Sequence, residues 1–83
     1  MGALEREGYE VAVFTYRAGT SFAEHAHPQD KCDAVLEGIL RITVGDAAYD
    51  LQSGDRLYLP GGTRHAASVL GRRTVLSLDG TRW

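Results

Sequence analysis

The stretch ILRITVGDAAYDL, residues 39–51, carries the clearest signal for the fold class. Every second position from Leu40 to Val44 is apolar, and this period of two is typical of a strand that buries one face. Gly45 and Asp46 then form a short turn signal, and the rest of the stretch reads as the returning strand. The stretch therefore predicts an antiparallel β-hairpin.

Strand signals of the same kind recur on both sides of this hairpin. The predicted strands, bounded by glycine and proline turns, are residues 9–17, 21–27, 32–38, 39–45, 47–51, 56–60, 65–71 and 73–80. No stretch keeps the apolar spacing of an amphipathic helix over three turns. Short strands separated by regular turns predict an all-β fold, a small antiparallel β-barrel.

Length and composition limit the possible partners. The 83 residues are predicted to form a single domain, residues 1–83. The net charge is −2 with acids and bases interspersed, so there is no basic patch for nucleic acid. The single cysteine, Cys32, excludes an intrachain disulfide. No apolar run approaches the ~18 residues of a membrane span, and the N-terminus does not read as a signal peptide. We therefore expect a soluble, cytoplasmic protein with no nucleic acid or membrane partner.

The three histidines of the chain are the candidate metal ligands. His25 and His27 lie two apart on a predicted strand, so their imidazoles share one face. His65 follows a turn beginning at Pro60 that returns the chain towards this pair. A lone histidine is more often an ordinary surface or core residue. Grouped as neutral imidazoles, the three suit a divalent zinc, iron, nickel or copper ion and leave a position open for water or substrate.

Two blocks of the sequence resemble the two motifs of the cupin superfamily. In the first motif, G-x5-HxH-x3,4-E-x6-G, the positions are taken by Gly19, His25, His27, Lys31 and Gly38. In the second, G-x5-PxG-x2-H-x3-N, they are taken by Gly54, Pro60, Gly62, His65 and Val69. The spacing agrees over residues 19–69. The departures are Lys31, in place of the glutamate, and Val69, in place of the asparagine.

The resemblance implies a jelly-roll barrel of two antiparallel sheets with a metal site in its mouth. In this family the metal is usually held by three histidines and a glutamate. His25, His27 and His65 match the histidine positions, whereas Lys31 stands at the position of the glutamate. Family members commonly pair, and we expect a homodimer here because the terminal strands would leave open edges.

Lys31 allows three interpretations at this site. If the metal is retained, Lys31 points to solvent or pairs with Asp33, which shares its strand face. Asp33 is alternatively the fourth ligand, while Asp30 and Cys32 fall on the opposite face of a regular strand. Without a metal, the imidazoles and the lysine would bind an anionic small molecule. In the third interpretation a desolvated lysine acts as a base or nucleophile. The first is favoured, because clustered imidazoles gain little unless a ligand uses their lone pairs.

Three functional interpretations remain open from the sequence, and none assigns a catalytic residue. A metal-dependent enzyme acting on a small molecule, for example a dioxygenase or an isomerase, fits three histidine ligands. A non-catalytic module that binds a small ligand or a metal is the alternative, since a short chain has few loops to shape a substrate pocket. The last is an inherited barrel whose site is no longer used.

Overall fold

The computed structural model describes residues 2–83, and it consists of one short helix and eight strands. The elements are α1 (Gly2–Arg6), β1 (Glu10–Tyr16), β2 (Ser21–His25), β3 (Asp30–Glu37), β4 (Ile39–Val44), β5 (Ala47–Leu51), β6 (Arg56–Leu59), β7 (His65–Leu70) and β8 (Val75–Arg82). The eight strands confirm the all-β prediction. No helix among residues 2–83 is long and apolar enough to cross a bilayer.

Three differences from the predicted elements matter below. Strand β2 ends at His25 instead of residue 27, so His27 lies beyond the strand on which it was predicted. Helix α1 was not predicted, because its five residues are too few to show a helical period over three turns. Strand β3 begins at Asp30 instead of residue 32. Lys31 is therefore a strand residue with a defined direction, and it shares a face with Asp33.

The strands form two four-stranded antiparallel sheets. The first, which we call sheet A, has the order β1-β8-β3-β6, and the second, sheet B, has the order β2-β7-β4-β5. Most neighbours in each sheet are distant in sequence, as the jelly-roll order requires. Within residues 2–83 the strands thus make two separate sheets instead of one closed ring of hydrogen bonds.

The main core fills the space between the two sheets. Its buried members are Val35, Leu40, Ile42, Leu51, Val69 and Val75. Leu40 and Ile42 are 3% and 0% exposed, whereas Arg41 between them is exposed. The apolar side chains of the alternating pattern in residues 40–44 therefore point into the core, as predicted.

The inward face of sheet A changes from apolar to polar along its length. On β8 the inward residues run from Val75 and Ser77 to Asp79 and Thr81, and on β3 the inward Val35 follows Lys31 and Asp33. Val75 and Val35 are fully buried in the core. A cavity between the sheets is lined by Lys31, Asp33, Ser77 and Asp79, and this end of the molecule carries the candidate site.

A second, smaller core lies on the outer face of sheet A. Leu4 of α1 packs there with Tyr9, Cys32 and Leu78. Cys32 is only 3% exposed, and it points away from Lys31 and Asp33 as a regular strand requires. Helix α1 thus covers an apolar sheet face that would otherwise meet water.

Candidate metal centre

The turn between β6 and β7 is docked onto the segment that follows β2. Gly62 N donates a hydrogen bond to His27 O at 2.7 Å, and Gly61 N donates one to the Asp30 carboxylate at 2.8 Å. Gly61 approaches Pro28 so closely that a Cβ at this position would collide with the Pro28 carbonyl oxygen. A glycine is therefore needed here, and its close approach brings the start of β7 to the histidine pair.

His65 begins β7 and completes the cluster. It is the register partner of His25 on β2, with ring centroids 4.4 Å apart. The ring of His27, two residues beyond the end of β2, lies 4.9 Å from that of His25 and 5.6 Å from that of His65. One ligand atom from each histidine can be chosen so that all lie within 4.8 Å of one another. The structure thus brings together the three histidines that the sequence singled out.

Hydrogen bonds to the backbone fix the tautomer of two of these imidazoles. His25 Nδ1 lies 2.7 Å from Ala23 O, and His65 Nδ1 lies 2.9 Å from Thr63 O. A carbonyl oxygen only accepts, so Nδ1 carries the proton in both rings. Their Nε2 atoms therefore keep a free lone pair. Metal-binding histidines in proteins are held by the same arrangement.

The surroundings of the cluster favour the neutral form of His27. Burial, followed by the Lys31 ammonium and the two other imidazoles, lowers the pKa of His27. A neutral imidazole is the form that binds a metal ion. Three imidazoles with ligand atoms within 4.8 Å of one another form a donor set that fits a zinc-type divalent ion.

A cavity of about 190 Å³ adjoins the cluster between the two sheets. Its histidine wall belongs to β2, β7 and the segment after β2, and its opposite wall belongs to sheet A. The rest of the cavity lining is aromatic or aliphatic and consists of Phe14, Tyr16, Phe22, Leu40 and Ala67. This cavity is large enough for a small molecule only.

Lys31 belongs to the wall opposite the histidines. Its Nζ donates to the Asp79 carboxylate at 3.0 Å and to Thr81 Oγ1 at 2.6 Å. The Lys31 and Asp79 side chains are 12% and 24% exposed. Lys31 therefore neither points to solvent nor takes Asp33 as its ion-pair partner, because β8 places Asp79 and Thr81 on the same inward face.

Asp33 lies beside this ion pair and outside the cluster of possible ligands in residues 2–83. It is the register partner of Asp79 on β8, so the two side chains lie on the same inward face of sheet A. Burial, then the charge of Asp79, raises the pKa of Asp33 to about 7 against the lowering effect of Lys31. Its role as a fourth ligand stays a prediction.

Asp79 is the site residue that the sequence did not single out. The period-two pattern of β8 could have identified it, because Val75 and Ser77 are buried and Asp79 lies on the same strand face. An acidic residue on an otherwise buried strand face is uncommon without a partner. Arg64, beside His65, is exposed and pairs instead with Glu24 at 2.9 Å.

Comparison with known protein families agrees with the observed fold. The sequence profile of the family described as Cupin domain matches residues 12–79. No functionally curated protein matches the chain at a comparable level of significance.

Solved structures share the fold at low sequence identity. A cupin-2 domain containing protein from Shewanella frigidimarina is 23% identical with a TM-score of 0.70, covering 87% of this chain and 70% of that one. The DMSP lyase DddQ from Ruegeria pomeroyi is 25% identical with a TM-score of 0.82, covering 92% of this chain but only 39% of that one. KdgF from Halomonas sp. is 20% identical with a TM-score of 0.76, covering 92% and 72%.

Proposed function

The chain belongs to the cupin domain family, and on this basis we propose that it binds a divalent metal ion through His25, His27 and His65. The same proposal assigns the adjoining cavity to a small-molecule substrate. The observation that carries it is the convergence of three imidazoles within 4.8 Å. These are all the histidines of the chain, so chance clustering is a poor explanation.

The residues around the cluster have separate tasks in this proposal. The backbone carbonyls of Ala23 and Thr63 hold the rings of His25 and His65 in the ligand tautomer. The apolar side chains of Tyr16 and Phe22 line the cavity and exclude water from the substrate. An ion bound by three neutral imidazoles would supply Lewis acidity towards a substrate oxygen. Zinc, iron, nickel and copper all accept such a donor set.

The structural relatives support a small-molecule enzyme. One of them is a DMSP lyase, which is 25% identical to this chain and has the same fold. The alternative is a non-catalytic module that binds a metal or a small ligand. The chain spans 39% of the length of that lyase. The alternative is favoured by the cavity volume of about 190 Å³, which is small for a substrate pocket.

Metal content tests the proposal directly. Purified protein is stripped with a chelator, reloaded separately with zinc, nickel and ferrous iron, desalted, and analysed for metal per chain. We expect close to one ion per chain in the wild type and a small fraction of that in His27→Ala and His65→Ala. Arg64→Ala is the matched control, because this exposed residue adjoins His65 but pairs with Glu24. Wild-type protein that retains none of the three metals would sink the proposal.

A further inference from the structure

The wall opposite the histidines carries a pair of carboxyl groups outside the three-histidine cluster. Asp33 on β3 and Asp79 on β8 are register partners on the same inward face. Both line the same cavity as the three histidines. A substrate in this cavity would therefore lie between a metal-binding wall and an acidic wall.

The placement of the two carboxyl groups favours a state with one proton between them. Two carboxylates at directly opposed strand positions repel each other in a partly buried site, whereas a protonated carboxyl can donate to an ionised one. Lys31 Nζ contacts both carboxylate oxygens of Asp79 at 3.0 Å, which stabilises Asp79 as the anion. The proton is therefore held on the Asp33 side, and the pair contains one acid and one base.

We propose that Asp33 and Asp79 are the general acid–base pair of this pocket, transferring a proton to and from a small enolisable carbonyl compound. This inference rests on the proposed function, because a metal ion held by the histidines would polarise the carbonyl oxygen. It assigns the reaction class as proton transfer, such as isomerisation.

The proposed step balances without a further reactant. The carboxylate of the pair takes a proton from the carbon next to the carbonyl group, the C–H bond breaks, and its electron pair forms an enolate on the substrate. The pair then returns a proton to a neighbouring atom of the enolate, which completes an isomerisation and restores the starting state of the protein. General acid–base catalysis of this kind needs a group that exchanges its proton near the working pH.

Several neighbouring groups control the ionisation of the pair. Lys31 lies on the same strand as Asp33 and favours the anionic form, whereas the charge of Asp79 on β8 opposes it. Tyr16 on β1 and His27 on the opposite wall also interact electrostatically with this pair. Burial and the two carboxyl groups raise the pKa of Tyr16, so its hydroxyl stays neutral near pH 7.

Carbon NMR of the aspartate carboxyl groups tests the shared proton without any turnover. We expect Asp33 and Asp79 to respond together as the last proton leaves the pair near neutral pH. Asp79→Asn should move the Asp33 transition to lower pH because a like charge is lost, and Lys31→Met should move it to higher pH. Two independent transitions below about pH 5, where ordinary aspartates titrate, would overturn the proposal.

Proton exchange on a probe tests the catalytic role. Zinc-loaded protein is incubated with pyruvate in deuterium oxide, and loss of the methyl proton signal is followed by NMR. The wild type and Arg64→Ala should accelerate exchange over buffer, with a dependence on pH that follows the carboxyl titration. Asp33→Asn, which removes the acid of the pair, should lose the acceleration by about 100-fold or more, the usual contribution of a general acid or base, while keeping its zinc.

The remaining outcomes distinguish a failure of this inference from a failure of the proposed function. Wild-type protein that holds zinc but exchanges no methyl proton faster than buffer overturns the acid–base assignment and leaves metal binding intact. Asp33→Asn protein that loses its zinc makes Asp33 the fourth ligand and also overturns it. Wild-type protein that holds no zinc overturns the proposed function, and the carboxyl titration still decides whether a proton is shared.

Discussion

Asp33 and Asp79 stand opposite each other on adjacent antiparallel strands, with both side chains on the inward face of sheet A. Like charges at directly opposed positions destabilise a sheet. Burial and the charge of Asp79 accordingly raise the pKa of Asp33, and Lys31 pairs with Asp79. The pair lines the same cavity as the three histidines. The ionisation of Asp33 therefore affects both the stability of the fold and the chemistry of the cavity.

The first prediction concerns stability and pH in the metal-free protein. The pKa of Asp33 is raised from 3.8 to about 7 in the folded state, so the folded protein keeps a proton that the unfolded chain releases. The resulting stability is complete below about pH 4 and is lost as the pH rises through about 7. Asp33→Asn cannot ionise and should lack this loss.

Urea unfolding at pH 5 and pH 8 measures the effect. The free energy of unfolding of Asp33→Asn, relative to wild type, should rise between these values by on the order of 2 kcal/mol. Taking the difference between the two proteins cancels the contributions of the other titrating groups. A difference that stays constant within about 0.5 kcal/mol would show that Asp33 ionises normally.

The second prediction concerns the position where the family motif carries its glutamate. Lys31→Glu replaces a cation near the cluster by an anionic oxygen donor, so zinc affinity should rise by about tenfold or more. Lys31→Met, which only removes the charge, should give a smaller increase. Without metal, Lys31→Glu should be less stable than wild type because Asp79 loses its ammonium partner. Weaker zinc binding by Lys31→Glu in calorimetric titration would contradict this account of the site.

The third prediction concerns the turn that positions His65. Gly61→Ala introduces a Cβ that collides with the Pro28 carbonyl oxygen, so the turn must move away from His27. Zinc affinity should fall by about tenfold or more, the scale seen when supporting groups of a metal site are disturbed. Gly71→Ala is the control: Gly71 has a φ of 72° and open space around it, so the substitution adds backbone strain but leaves zinc binding unchanged. Equal zinc affinities for the two variants would refute the positioning role.

The strand pattern and the histidine cluster could both be predicted from the sequence. The period-two alternation around Leu40 and Ile42 reports a local property, the burial of one strand face. The approach of His65 to His25 and His27 was predicted from the turn at Pro60 and from the spacing of two family motifs. That approach requires a glycine at position 61, where a Cβ would collide with the Pro28 carbonyl oxygen. This part of the site therefore depends on a residue that the sequence shows directly.

The partner of Lys31 could not be predicted in this way. Asp79 lies 48 residues away in sequence, and it reaches Lys31 only because β8 pairs with β3 in one particular register. Sequence spacing within β3 pointed to Asp33 instead, which is the nearest carboxylate on the same face. Pairing between distant strands depends on the whole sheet, and therefore lies beyond a reading of local patterns.

The fourth prediction concerns association. Strand β1 forms an edge of sheet A, and it exposes Val13 and Phe14, which are 53% and 41% accessible. An uncovered edge with apolar side chains favours pairing with a second copy of the chain. We expect light scattering to give twice the 9.0 kDa of one chain, and Val13→Lys to weaken the dimer. A wild-type mass of 9.0 kDa at high micromolar concentration would contradict it.

The most direct test of the three-histidine centre is nitrogen NMR of the imidazole rings during zinc titration. The chain has three histidines, so single substitutions assign each ring signal to its residue. We predict that zinc shifts all three rings together up to one ion per chain. In His25 and His65 it should bind Nε2 while Nδ1 stays protonated, because Nδ1 donates to a backbone carbonyl. Zinc that leaves any of the three rings unshifted, or that binds Nδ1 of His25 or His65, would contradict the proposed centre.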